Sequence, residues 1–226
     1  MTTDVGLWDS EKYVFQKYLK PEDKILDLGC GTGRTTFAIY KLGFTNIVGV
    51  DLTPEMVAIA DELNAHFHTN IAFKIGDATK LDSTNAIYDA VLFSYNGLMT
   101  IPNGVNRNKA IGEIYRVLKP SGTFIFTTHD RERGAQHFKF WREEKQKWNM
   151  GNQNPALYEY GDIITKSRNE SKEIFIHIPN QEEVADLLAT NGFKVMETFY
   201  RGDKFIEREQ VKAISGECRF WVVQRN

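Results

Sequence analysis

The stretch Ile25-Leu26-Asp27-Leu28-Gly29-Cys30-Gly31-Thr32-Gly33 constrains this chain more than any other. The apolar run at 25–28, interrupted only by Asp27, is too short for a helix and predicts a buried strand. Three glycines at alternate positions end it, and residues 35–40 resume with apolar spacing that suits a helix. Strand, glycine-rich turn and helix in that order make a ligand cradle. Glycine accepts positive φ and has no Cβ, so its backbone can approach a bound molecule closely. The helix N-terminus adds free N–H groups and partial positive charge. Spacing narrows the ligand: a G-x-G-x-x-G dinucleotide fingerprint needs its third glycine at position 34, which is Arg34 here. No Gly-Lys-Ser/Thr follows, which excludes a Walker-type phosphate loop.

Either side of this turn, strands and helices alternate. A helix is expected over 9–19, with Asp9 or Ser10 as N-cap and Pro21 as its stop. Trp8, just before it, is either a hydrophobic anchor or a lid over a ligand. Residues 46–51 predict a second strand ending in Asp51, and Thr53-Pro54 then opens a helix striped by Met56, Val57, Ala60 and Leu63. Residues 71–75 form a third strand ending at Gly76-Asp77-Ala78, and 88–94 a fourth, followed by Tyr95-Asn96-Gly97. A helix bearing Ile111, Ile114, Tyr115 and Leu118 stops before Pro120, and Ser121-Gly122 turns into a fifth strand at 123–128. Such alternation implies βαβ units and a mostly parallel sheet covered on both faces. Ligands of such sheets bind outside the carboxyl ends of the strands. Gly29 to Gly33, Asp51, Asp77, Ser94 to Asn96 and His129-Asp130 all fall at those ends.

From 131 to 178 the alternation breaks. Phe138, Phe140, Trp141 and Trp148 are interleaved with six basic and three acidic residues up to 148, followed by two short strand patterns at 162–165 and 173–176 joined through Ser167 to Ser171. This reads as an insertion carrying a helix and a hairpin, a substrate cover over the strand ends. Regular order returns with an Asn180/Glu183 capping pair, a helix ended by Asn191-Gly192, and two final strands at 193–200 and 218–223.

The chain of 226 residues is expected to form one domain. A net charge of −2 gives no global attraction to nucleic acid or an anionic membrane. No stretch approaches a membrane span, and Met1-Thr2-Thr3-Asp4 lacks a signal peptide's basic start, so a cytoplasmic location is expected. Cys30 and Cys218 have no metal-ligand spacing, and no metal is expected. Asp51 lies 22 residues after Gly29, near the interval at which such sheets place a ribose-binding acid. Taken alone, it serves equally as a dipole partner for the following helix.

Asp-Leu-Gly-Cys-Gly-Thr-Gly at 27–33, with Asp51 and Asp77, resembles the pattern of the class I S-adenosylmethionine-dependent methyltransferases from about residue 1 to 130 and again from 179 to 226. The resemblance implies an α/β, Rossmann-like, doubly wound, seven-stranded and mostly parallel sheet. It also implies one antiparallel strand near the C-terminus, with the α/β insertion lying between strands 5 and 6. It implies S-adenosylmethionine as cofactor. Gly29, Cys30 and Gly31 would meet its amino-acid portion through backbone, while Asp27 would organise the loop and bind the ammonium directly or through water. Asp51 would hold the ribose with Leu52 and Met56 beside it, Asp77 and Ala78 would meet the adenine, and Ser94 would close the site near the sulfonium.

The acceptor is less constrained. Ser94-Tyr95-Asn96-Gly97 lacks the two prolines that amino-directed nucleic-acid methyltransferases usually carry there, and neither cysteine follows a proline as cytosine-C5 enzymes require. A small-molecule acceptor is the expectation, with Asn96, His129, Trp141, Tyr158 and Tyr160 as candidate lining. His129 is also the candidate general base, since imidazole can accept a proton at neutral pH. An RNA acceptor, or a cofactor-binding protein without catalysis, are the alternatives.

Overall fold

A computed structural model describes residues 5–166 and 173–226. Seven strands form the main sheet: β1 (Ile25–Leu28), β2 (Ile47–Asp51), β3 (Ala72–Ile75), β4 (Tyr88–Phe93), β5 (Leu118–Thr128), β8 (Phe193–Tyr200) and β9 (Arg219–Arg225). Their spatial order is β3-β2-β1-β4-β5-β9-β8, and β9 alone runs antiparallel, pairing β5 on one side and β8 on the other. The chain leaves β1 towards β3, then returns to β4 on the other side of β1. That reversal opens a crevice at the carboxyl ends of β1 and β4.

The apolar runs of these strands supply both faces of the sheet. Leu26, Leu28, Val91, Phe93, Phe124, Phe126, Trp221 and Val223 face α4 (Gly104–Val117) and α6 (Gln181–Thr190). Ile25, Ala90, Leu92, Ile125, Phe220 and Val222 face the opposite layer, with α1 (Asp9–Tyr18) and α2 (Arg34–Lys41). Two-residue alternation thus splits one hydrophobic run between two cores. Asp27 points to the α2 side and is buried there.

Local details depart from expectation where distant segments intervene. Trp8, not Asp9 or Ser10, is the N-cap of α1. The free N–H groups of Asp9 and Ser10 donate to Glu207, at 2.9 and 3.0 Å, and Ser10 Oγ donates to it at 2.6 Å. A buried carboxylate from the far end of the chain therefore does the work of a local cap. In α3 (Pro54–His66) the stripe is narrower than its pattern suggests, with Val57 and Ala60 buried but Met56 exposed beside the crevice. Residues 119–122 are not a separate turn before β5: the strand begins at Leu118, and its register against β4 jumps from Tyr88↔Leu118 to Ala90↔Thr123.

Between β5 and α6 lie α5 (Phe138–Met150) and a two-stranded sheet of β6 (Asp162–Lys166) and β7 (Glu173–His177). The expected join through Ser167 to Ser171 lies outside the described residues. The Asn180/Glu183 cap forms as expected, with reciprocal bonds of 3.0 Å. The connection from β8 to β9 carries two short helices, α7 (Arg201–Lys204) and α8 (Glu209–Ile214). Because Tyr200 and Thr128 both pair with Arg219, this connection rises on the same side as the β5 carboxyl end. No helix among the described residues is long and apolar enough to cross a membrane.

Candidate active site

Two cavities open at the carboxyl ends of the strands. The larger, about 830 Å³, is walled by Gly29 and Gly31 after β1, Asp51 to Thr53 after β2, and Gly76 to Thr79 after β3. Phe93 to Tyr95 with Gly97 close it after β4. Gly29 has φ +65°, and a Cβ there would stand 2.6 Å from the Phe93 ring. Gly31 also has positive φ, with open space where its Cβ would be. One glycine therefore seats the loop against the core and the other leaves room for a ligand.

Asp51 braces both sides of the cavity. Its Oδ2 accepts from Gly31 N at 2.8 Å and its Oδ1 from Thr53 N at 2.9 Å, so one carboxylate fixes the glycine turn and the start of α3. Each oxygen keeps acceptor capacity for a ligand hydroxyl. Asp77 Oδ1 accepts from Thr79 N and Thr79 Oγ1, both at 2.8 Å. Leu52, Met56 and Ile101 supply apolar wall. Two acids, exposed backbone at the glycines and a slot of apolar side chains fit an adenosine bearing an amino-acid tail.

Two expected cofactor residues do not line this cavity. Asp27 lies beneath the turn, accepting from Thr36 Oγ1 at 2.6 Å, because its position in β1 turns it towards α2. Burial there pushes its carboxyl up to about 7. The Cys30 N–H is taken by Val50 O at 3.1 Å, and its thiol turns back towards Gly49. Burial drives that thiol well above its usual range.

The second cavity, about 500 Å³, lies at the ends of β5 and β8. His129, Asp130, Tyr200 and residues 216–218 form one wall, while Arg133, His137, Phe140, Trp141, Ile163 and Ile178 come from the segment after β5. Tyr158 and Tyr160, expected as lining, do not reach it. Tyr160 instead donates to Trp141 O at 3.1 Å and packs edge-on against the Trp141 ring, while Tyr158 is exposed against Phe175.

Asn96 divides the two cavities. Its chain neighbours Tyr95 and Gly97 line the first, and its Nδ2 lies 3.1 Å from Nε2 of His129 in the second. His129 Nδ1 lies 2.8 Å from Glu217 O. A carbonyl can only accept, so Nδ1 carries the proton and Nε2 accepts from the Asn96 amide. Burial lowers the pKa of His129, keeping the ring neutral at pH 7. Tyr95 and Asn96 both sit at positive φ, 58° and 60°. Left-handed backbone at a bulky aromatic is uncommon and marks strain held by surrounding structure.

Sequence reasoning missed Tyr95 as cavity lining and missed the Gly216-Glu217-Cys218 wall altogether. Asn96-Gly97 is a turn signal, but nothing in it shows which way the preceding ring projects. The long connection between the last two strands was the only sign of the second wall.

Fold and crevice together define a Rossmann-like α/β protein with a cavity at the ends of β1, β2 and β3 whose lining suits an adenosyl ligand. The chain belongs to the methyltransferase domain family, whose model matches residues 19–203, and it is a class I methyltransferase that uses S-adenosylmethionine. It is similar to an uncharacterised protein of Methanocaldococcus jannaschii, 30% identical over 217 residues covering 93% of this chain and 79% of that one. It is also similar to the carboxy-S-adenosyl-L-methionine synthase of Campylobacter fetus, 26% identical over 85% of this chain and 78% of the relative. A solved SAM-dependent methyltransferase from Methanosarcina mazei shares the fold at a TM-score of 0.77, with 20% identity, over 97% of this chain and 98% of that one.

Proposed function

We propose that the enzyme methylates a small molecule held in the second cavity, beneath a cover formed by residues 131–178 of a single domain. One observation carries the reading. Tyr95 and Gly97 stand in the wall of the cofactor-sized cavity, His129 stands in the wall of a cavity of small-ligand volume, and Asn96, between Tyr95 and Gly97 in the chain, is hydrogen-bonded to His129. S-adenosylmethionine supplies a methyl group on a sulfonium, and transfer is an in-line displacement. The chain's task is then to bring the reacting atoms within about 3–3.5 Å and to exclude water.

In this reading Gly29 and Gly31 present backbone to the amino-acid tail, and Asp51 holds the ribose. Leu52 and Met56 flank the adenosine, Asp77 and Ala78 meet the base, and Ser94 lies towards the sulfonium. Trp141 and His129 wall the acceptor, with Tyr160 acting behind Trp141. An acceptor that arrives protonated displaces the Asn96 amide from the lone pair of His129 Nε2 and loses its proton there. The charged face of α5 mixes signs, with Lys139 near Glu143 and Lys147 bonded to Glu144, which disfavours a phosphate track.

The test is a turnover screen that follows S-adenosylhomocysteine over small amines, phenols, carboxylic acids and tRNA. Turnover with a small molecule that competes with ligands of the second cavity supports the proposal. Turnover on tRNA alone refutes it.

A further inference from the structure

The cofactor cavity has an uneven distribution of charge. Its walls carry two carboxylates, Asp51 and Asp77, and no lysine, arginine or histidine. Both acids stand at the β2 and β3 ends. The β4 end, where Ser94 is placed towards the sulfonium, has no carboxylate to answer a positive charge. It does have an aromatic ring. Of the two rings in the wall, Phe93 is buried against Gly29 and Gly97, whereas Tyr95 is 43% exposed.

The fold holds that ring in place against a backbone preference. Tyr95 and Asn96 are consecutive left-handed residues, a strained conformation that persists only where neighbours enforce it. Asn96 N donates to the buried Thr127 Oγ1 at 2.9 Å, fixing the turn from below. The Tyr95 hydroxyl donates to Ile214 O, at the last residue of α8, fixing the ring from its far end. Trp8 packs beside it with ring centroids 5.7 Å apart and planes tilted by 58°, and the Arg34 guanidinium, itself paired with Glu11, lies 6.0 Å from the centroid of the Tyr95 ring. A space-filling residue does not need a strained backbone and supports from three parts of the chain. A ring that must present its π face to one spot does.

We propose that Tyr95 recognises the sulfonium charge of S-adenosylmethionine through its aromatic face, and so sets the preference for the charged cofactor over its uncharged product. The proposal rests on cofactor binding in this cavity. An aromatic face suits the position chemically, since it attracts a cation without offering a nucleophilic oxygen to the methyl group. Loss of the charge on transfer removes the attraction, which favours product release.

The test compares binding of S-adenosylmethionine and S-adenosylhomocysteine by calorimetry in wild type, Tyr95→Phe and Tyr95→Asn. Asparagine tolerates left-handed backbone, so it removes the ring while sparing the turn. Tyr95→Phe should keep the wild-type affinity ratio, because the face remains although the Ile214 bond is lost. Tyr95→Asn should lower the ratio about 3- to 30-fold, through the charged ligand. Tyr95→Gly serves the same purpose should the asparagine variant melt early. An unchanged ratio in a folded ringless variant overturns the proposal while leaving the cofactor site intact. Wild type that binds neither ligand overturns the cofactor site itself.

Discussion

The half of the site around β1 to β3 and the half around β5, β8 and β9 are built on different principles. In the first, each functional group lies within a few residues of a strand end, and backbone bonds brace it locally. Asp51 reaches Gly31 N and Thr53 N, and Asp77 reaches Thr79. In the second, almost every brace crosses a long sequence separation. His129 bonds Glu217 O, Tyr200 bonds Asp130, and Arg131 bonds Glu183. A cofactor shared by a whole family calls for a fixed cradle. A wall made of loops from three segments can change its acceptor without disturbing that cradle.

The largest expected effect tests whether the halves act separately. His129→Ala should lower turnover by about 10²–10⁴-fold for an acceptor that must lose a proton. It should leave S-adenosylmethionine affinity unchanged. Because burial depresses this histidine's pKa, wild-type kcat/KM should hold steady down to the ordinary imidazole range and fall only at more acid pH. Near-normal turnover in the variant would make His129 a wall and no more.

Gly29→Ala should break the first half from within. The new Cβ meets the Phe93 ring at 2.6 Å in a left-handed backbone, so overpacking and strain together cost about 2–4 kcal/mol. Gly31→Ala meets open space and should cost only the backbone term, about 1–2 kcal/mol. Thermal melts of the two variants check the difference, and equal melting would mean that the Gly29–Phe93 contact yields easily.

Asp51→Ala should weaken S-adenosylmethionine by about 1.5–3 kcal/mol, some ten- to a hundredfold. Hydrogen exchange in β6 and β7 should not change, because no bond of Asp51 reaches that hairpin. Calorimetry with unchanged affinity would remove Asp51 from the ribose site.

The contrast also explains what could be read from the residues. The sheet, its antiparallel β9, the glycine turn and the placement of Asp51 and Asp77 in one cavity wall were legible because strand alternation and turn chemistry are local. Asp27 misled because a strand-end acid looks the same whether it faces a cavity or the layer beneath, and a two-residue period in β1 decided it. Tyr158 and Tyr160 misled for a related reason: aromatic composition marks an insertion as packed but not which ring faces inward. Glu207 as the cap of α1, and Glu217 as the partner of His129, depend on contacts between the two ends of the chain. No window of sequence contains such contacts.

The smallest expected effect concerns how the cover is fastened. In β7, His177 Nδ1 lies 2.8 Å from Asp162 Oδ1 of β6, and its Nε2 lies 3.8 Å from Glu183 Oε2 of α6. Glu159 and Arg107 complete the surroundings, and Arg107 is bonded to Glu159. Burial disfavours the imidazolium, but the bonds to Asp162 and Glu183 outweigh it and raise the histidine's pKa. The same network holds the Asp162 carboxyl below its ordinary value and the Glu183 carboxyl at about 2, so both stay ionised from pH 5 upward. Only the histidine titrates near neutrality. Its charge stabilises the fastening fully below the unfolded value near 6.5, and that contribution is lost as pH rises through the higher folded value. Amide exchange in β6 and β7 should therefore quicken between pH 6 and pH 9 beyond the intrinsic base-catalysed increase. His177→Leu should abolish the pH-dependent excess while leaving cofactor affinity unchanged, and an excess that survives the substitution would place the fastening elsewhere.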